Sequence, residues 1–235
     1  MEENEYKAMY EVEEKHAWFR AKREMMIDLF SRFGNNGSAI LDIGCGTGVI
    51  ASFFAQKNQV IGLDISATAL RYAKMRDKTL KLVKGDAQNV KFKPETFDWV
   101  FASDVIEHVK DDYKAMQNIH NVLKPGGKIL ITVPALEFLW GKDDDLVHHQ
   151  RRYTKKQLKQ LLSASGFKIE FLNYWDILMF PAVVIYKLLN KSQTVAELTP
   201  LANKLAYAIL KADTKLIQHI PVPFGVSLVA IATKR

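Results

Sequence analysis

The sequence predicts an α/β fold built on a mainly parallel sheet. Three observations lead there. From Ser38 onward, short apolar runs alternate with stretches of helical period. A glycine-rich segment joins the first run to the first helical stretch. Of the 235 residues, 48% are apolar and 25% charged, which excludes a wholly disordered chain.

Residues 1–33 read as helical, because Val12, His16, Phe19, Arg23, Met26 and Phe30 recur three or four apart. Gly34-Asn35-Asn36-Gly37 breaks that pattern. Strands are expected at 39–43, 59–63, 80–84, 99–102, 128–133 and 168–173. Helices are expected between them, near 48–57, 66–76, 112–123 and 154–165. Residues 175–190 are rich in large apolar side chains. Leu198, Leu201, Leu205, Ile209, Ala212 and Leu216 then mark an amphipathic helix, which Pro221 and Pro223 end. Residues 225–233 read as a last strand, and no internal repeat is visible.

Composition bounds the function. The one cysteine, Cys45, excludes an intramolecular disulfide and a multi-cysteine metal site. The start, MEENEYK, is too acidic for a secretory signal, and no run of 18 apolar residues occurs. A cytoplasmic setting is therefore expected. The net charge is +7, with its densest basic cluster between Lys142 and Lys159. No nucleic-acid-binding signature accompanies it, so it reads as a solvated basic face and no nucleic-acid partner is expected.

The sharpest motif is Leu41-Asp42-Ile43-Gly44-Cys45-Gly46-Thr47-Gly48, where a strand gives way to a helix. Glycines there let a ligand approach the backbone, and a helix N-terminus offers free N–H groups. Asp64 closes the next strand, where a carboxylate can accept from both ribose hydroxyls of a nucleoside. A nicotinamide dinucleotide prefers G-x-G-x-x-G, and Gly48 falls one position early for that spacing.

The loop instead resembles that of the class I S-adenosylmethionine (SAM)-dependent methyltransferases. Gly85-Asp86-Ala87, Phe97-Asp98-Trp99-Val100, Ser103 through Val109, Val122 through Gly127 and Ser165-Gly166-Phe167 follow in that family's order. His16-Ala17-Trp18-Phe19-Arg20, the segment Asp144 to Tyr153 and Pro223 through Leu228 resemble a type 11/type 23-like subgroup. The resemblance implies a Rossmann-like, doubly wound sheet of seven strands with the last antiparallel. It divides one methyltransferase domain into an N-terminal helical segment (1–37), a SAM-binding core (38–174), a helical cap insertion (175–222) and the last strand (223–235).

The same resemblance implies the cofactor contacts. The Gly44, Cys45, Gly46 and Gly48 backbone would hold the methionine part, with Asp42 beneath it. Asp64 would hold the ribose, with Ile65 beside it, and Asp86 and Ala87 the adenine edge. Ser103 would lie near the methyl. Methyl transfer needs alignment of the acceptor, and a base only where the acceptor must lose a proton. His108 and His149 are the candidate catalytic groups; His108 also reads as a residue capping or packing the helix after the fourth strand. Asp144, Arg152 and Tyr153 are candidate substrate contacts, or else pairs that hold their own loop shut. Asp104-x-x-Glu107-His108 also resembles the E-x-x-E-H magnesium site of some catechol and terminal-ribose O-methyltransferases, with Asp in place of the first Glu. His148 or His149 would complete such a site, but no metal is assigned.

The expected activity is methyl transfer from SAM to a small or lipid-like acceptor, at oxygen. A non-catalytic SAM-binding scaffold, or a methyltransferase acting on protein or nucleic acid, stands as the alternative. The uncharged run 177–186 is too short to span a bilayer. It is read as a wall for an apolar acceptor, a peripheral membrane contact, a homodimer seam or plain burial.

Overall fold

The structure is a computed structural model that describes residues 3–188 and 198–235. Its N-terminal segment forms two helices rather than the one expected, α1 (Glu3–Val12) and α2 (Ala17–Phe33). His16 makes the break. Its backbone is extended and its ring accepts from the Trp18 N–H, which caps α2. Glu13, beside the break, is buried against Arg76 and Thr47.

Strand and helix then alternate as β1 (Ala39–Ile43), α3 (Val49–Ala55), β2 (Gln59–Asp64), α4 (Ala67–Arg76), β3 (Lys81–Lys84) and β4 (Phe97–Ser103). They continue as α5 (Asp112–Val122), β5 (Leu123–Pro134), the short α6 (Lys142–Leu146), α7 (Lys155–Ala164) and β6 (Phe167–Trp175). The insertion supplies α8 (Phe180–Leu188) and α9 (Pro200–His219), and β7 (Ser227–Lys234) closes the chain. The seven strands form one sheet in the order β3-β2-β1-β4-β5-β7-β6. Only the pairings of β7 are antiparallel.

β2, β4, β5 and β6 run longer than expected, β5 by the most. β5 begins at Leu123, so Lys124-Pro125-Gly126-Gly127 lies inside it and not ahead of it. Leu123 pairs with Phe97, and a register shift between Phe97 and Trp99 absorbs the irregular turn.

The core forms where sheet and helices meet. Phe30 of α2 packs on Phe54 of α3 and on Trp99 and Phe101, which share one face of β4. α9 runs along α2: Asn203 accepts from Ala17 N at 2.7 Å and donates to Lys15 O at 2.9 Å. At the other end Arg32 donates to Gln218 O at 3.0 Å. This half of the insertion is therefore packed on the domain through Ala206, Leu210, Asp213, Thr214 and Ile217. α8 differs, since none of residues 180–187 is fully buried. Residues 189–197 of the insertion, and 1–2 of the N-terminal segment, lie outside the described residues. Among the described residues no helix is long and apolar enough to cross a membrane.

The strand order sets the place of the site. The chain leaves β1 for one edge through β2 and β3, then returns beside β1 as β4. The crevice at the carboxyl ends of β1 and β4 is where such sheets bind ligands.

Candidate active site

The β1–α3 loop lies in that crevice. Gly44, Gly46 and Gly48 all take positive φ, at 65°, 54° and 81°. A Cβ on Gly44 would overlap the Val105 side chain, and one on Gly48 would lie 2.8 Å from Ala73 Cβ. Only glycine fits both places. Cys45 donates its N–H to Leu63 O, and its buried thiol is pushed well up by desolvation, away from the reactive thiolate.

Asp64, at the end of β2, holds the loop. Its Oδ2 accepts from Gly46 N at 2.9 Å and its Oδ1 from Ser66 N at 2.8 Å. Asp42 lies nearby, 2% exposed, with one carboxylate oxygen that has no hydrogen-bond partner among the described residues. Burial, and then the Asp64 charge, push Asp42 up to about 8. Two buried carboxylates thus share the floor of the glycine loop. A cationic ligand would relieve their repulsion.

Asp86 follows β3 and caps a 3-10 turn over Ala87–Asn89, accepting from Gln88 N at 2.8 Å. Ala87 is buried, and Ile65 stands 65% exposed just after Asp64. Ser103 ends β4, with its hydroxyl 3.2 Å from that of Thr132. Loop, Asp42, Asp64 and Ser103 all gather at the carboxyl ends of β1, β2 and β4.

A second cluster sits past β4. Asp104 turns the chain at a φ of 53°. It pairs with Lys22 of α2 and accepts from the Thr132 hydroxyl at 3.0 Å. Burial alone would raise its carboxyl, but Lys22 and Thr132 hold it below the ordinary value. Lys22 is a functional residue that the sequence reading missed. Its signal was present: Trp18, Met26 and Leu29 place position 22 on the inner face of α2.

Glu107 is wholly buried, and neither carboxylate oxygen has a hydrogen-bond partner among the described residues. Its charge is penalised first by that burial and then by Asp104. His108 and His149 meet beside it, ring centroids 4.7 Å apart at 67°. His149 Nε2 lies 3.9 Å from Glu107 Oε1, and its Nδ1 2.8 Å from Asp144 Oδ1. Desolvation and the neighbouring His149 lower His108, so its imidazole is neutral at neutral pH, while its outer edge stays in solvent.

Asp144, Arg152 and Tyr153 are all buried. Arg152 grips Asp144 through Nε at 2.8 Å and Nη2 at 3.1 Å, and the Tyr153 hydroxyl donates to Asp112 at 2.8 Å. Gly141 N and Lys187 of α8 also reach Asp144 Oδ2. Asp144 and Arg152 spend their polar groups on holding the loop, and Tyr153 spends its hydroxyl on α5. An apolar lip forms where α8 reaches this loop: Phe180 of α8 is 6.2 Å from Phe138 and 4.8 Å from Phe224, centroid to centroid.

Comparison with known proteins reads the site. The type 11 methyltransferase-domain family matches residues 41–131. The fold also matches the Haemonchus contortus phosphoethanolamine N-methyltransferase 2 solved in complex with SAM, at a TM-score of 0.60 and 26% identity, covering 90% of this chain and 52% of that one. Residues 41–131 thus carry a type 11 methyltransferase domain, on a fold shared with class I SAM-dependent methyltransferases.

Its cofactor is S-adenosylmethionine. The residues present fit that molecule, whose sulfonium and ammonium charges suit the Asp42 and Asp64 floor and whose backbone-hugging chain suits the Gly44 cradle. Relatives of this methyltransferase differ in acceptor. It is 34% identical over 159 residues to phosphoethanolamine N-methyltransferase 2 of Caenorhabditis elegans, covering 63% of this chain and 36% of that one. It is 37% identical over 101 residues to demethylmenaquinone methyltransferase of Staphylococcus epidermidis, covering 40% of this chain and 42% of that one. It is 24% identical over 226 residues to 2-phytyl-1,4-naphtoquinone methyltransferase of Thermosynechococcus vestitus, covering 93% and 88%. The methyltransferase thus spans less than half the length of the first two relatives.

Proposed function

We propose that this methyltransferase transfers a methyl group from SAM to an oxygen of a small, lipid-like acceptor. The observation that carries this reading is the aromatic group of Phe138, Phe180 and Phe224, tied through Lys187 of α8 and Asp144 to the polar Glu107, His108 and His149 cluster, where Trp140 also lies 6.5 Å from His149. An apolar lip suits an apolar acceptor, and a cluster of proton-handling groups suits a hydroxyl that must lose a proton. The quinones named in two of the relatives are apolar acceptors.

SAM supplies an activated methyl on a leaving sulfur. The chain's own residues align and exclude water. Gly44, Cys45, Gly46 and Gly48 hold the methionine part, with Asp42 below. Asp64 accepts from the ribose, Ile65, Asp86 and Ala87 frame the adenine, and Ser103 faces the methyl end. His108 and His149 handle the acceptor's proton. Asp144 and Arg152 are positioning residues, because they fix His149 and the loop, and Tyr153 pins the same loop to α5. Residues 38–174 and the insertion 175–222 work as one domain, in which α8 serves as the cap.

The acceptor is met at a membrane surface. The outer face of α9 carries exposed Leu201, Leu205, Ala208 and Ala212 beside exposed Lys204, Lys211 and Lys215. Its one acid, Asp213, is buried. An apolar stripe flanked by lysines suits an anionic lipid surface.

The test uses SAM labelled on its methyl, extract of the host and Asp64→Ala as the blank. Label in the organic fraction is expected, and Phe180→Glu should lower it at least tenfold while sparing S-adenosylhomocysteine binding. Label confined to water-soluble or macromolecular material would overturn the lipid-like acceptor.

A further inference from the structure

We infer that Glu107, His108 and His149 form a binding site for one divalent transition-metal ion. The ligand atoms of these three residues lie within 4.8 Å of one another. Metal bonds of about 2.0–2.1 Å place neighbouring ligands roughly 3.0–3.4 Å apart, so each must move inward by at most about 0.9 Å.

Three independent features mark the cluster as a built site. Glu107 is wholly buried, yet both its oxygens lack a hydrogen-bond partner among the described residues. A buried carboxylate without partners is costly unless something charged meets it. His149, in turn, is oriented by a group behind it. Asp144 Oδ1 lies 2.8 Å from His149 Nδ1, which leaves Nε2 turned to Glu107. His148, next in the chain, sits at a φ of 59°, a conformation rare outside glycine. A carboxylate behind a metal-bound imidazole is the usual arrangement of metal-site histidines.

The donor set selects the ion. Two imidazoles and one carboxylate suit zinc or ferrous iron better than magnesium or calcium, which prefer oxygen alone. Three protein ligands leave coordination positions open. Asp104 is not a ligand, because Lys22 and Thr132 occupy its oxygens.

The use of the ion rests on the oxygen-acceptor reading above; its binding does not. With the ion bound, His108 and His149 hold it instead of taking the proton, and a coordinated acceptor hydroxyl gives up its proton to water near neutral pH. Its oxygen lone pair then forms the O–CH3 bond as the S–CH3 bond breaks. The electron pair of the broken bond stays on sulfur, which departs as a neutral thioether.

The test titrates metal-stripped full-length protein with Co2+, followed by visible absorption, and with Zn2+, followed by calorimetry. One equivalent of each should bind, with a cobalt spectrum typical of nitrogen and oxygen ligands. His149→Ala and Glu107→Gln should each weaken binding at least 100-fold, and Asp144→Asn 10- to 100-fold. S-adenosylhomocysteine binding reports that every variant is folded and should not change. A folded wild-type protein that takes up neither ion overturns the site, as does a cobalt spectrum that the variants leave untouched. Metal uptake without label in any hydroxyl acceptor would retain the site and sink the oxygen-acceptor reading. Methylation by metal-free protein at the full rate would overturn the ion's part in transfer.

Discussion

Arg152 and Asp144 form a two-point ion pair inside the protein, with Nε 2.8 Å from Oδ1, Nη2 3.1 Å from Oδ2 and the Asp144 side chain 1% exposed. The pair locks the loop that carries His149, and it spans eight residues of chain between a short helix and a bridge to β5.

Asp144→Asn should therefore cost about 3 kcal/mol of stability, because it strands a buried guanidinium. Urea denaturation of Asp144→Asn, Arg152→Met and the double variant checks this. The double variant should lose clearly less than the sum of the singles. Desolvation opposes the Asp144 charge, but His149 and Arg152 overcome it and hold the carboxyl below its ordinary 3.8. The sign follows: the stabilisation is complete above about pH 4 and fades as pH falls through the lowered value. Asp144→Asn should flatten that acid limb.

Asp176 gives the opposite pH dependence. It ends β6 at a φ of 67°, 3% exposed, beside the buried Asp213. Burial first, and the Asp213 charge second, push it up from 3.8 to about 7. The folded state therefore holds this proton more tightly than the unfolded chain, and stability drains away as pH rises from about 4 to about 7. Asn tolerates positive φ. Asp176→Asn should raise stability by roughly 1–2 kcal/mol at pH 8 and change little at pH 4. Thermal melts at both values decide it; equal shifts at the two would refute the assignment.

The contrast between these residues shows what the sequence makes legible. Gly44, Gly48 and Asp64 were readable because their roles are local: a turn that excludes Cβ and an acid at a strand end. The mainly parallel sheet followed from alternation, since parallel strands need helical crossovers. Lys22 meeting Asp104, or Asp176 meeting Asp213, depends on pairs 82 and 37 residues apart that no period encodes. The break at His16 was hidden because the three-and-four spacing runs straight through it, while a ring nitrogen capping Trp18 N interrupts the backbone. The amphipathic period of α9 was legible, but its packing along α2 was not, because the face it covers lies 186 residues away in the chain.

Gly44 gives a test of steric fit without chemistry. Gly44→Ala should cost roughly 2–4 kcal/mol, part from its φ of +65° and part from overlap with Val105. Adding Val105→Ala removes the overlap but not the backbone strain. The double variant should thus regain part of the loss in urea denaturation. No recovery would mean that the Val105 contact does not limit this position.

The last prediction concerns α9. Leu201 and Leu205 are 78% and 61% exposed, a large apolar area for a free surface. Lys204 and Lys215 flank them, and the helix shows no exposed acid. Binding to anionic phosphatidylglycerol vesicles should follow, and it should weaken in high salt, because surface charges are screened. Leu201→Glu with Leu205→Glu should remove both the apolar and the electrostatic attraction. Lys204→Gln with Lys215→Gln should remove only the charge part, leaving weak binding that salt no longer alters. Vesicle sedimentation with S-adenosylhomocysteine binding as the folding control separates these outcomes. Equal binding to neutral and anionic vesicles would show that the lysines play no part. A concentration-dependent dimer that the two leucine substitutions dissolve would assign the stripe to a second copy of the chain instead.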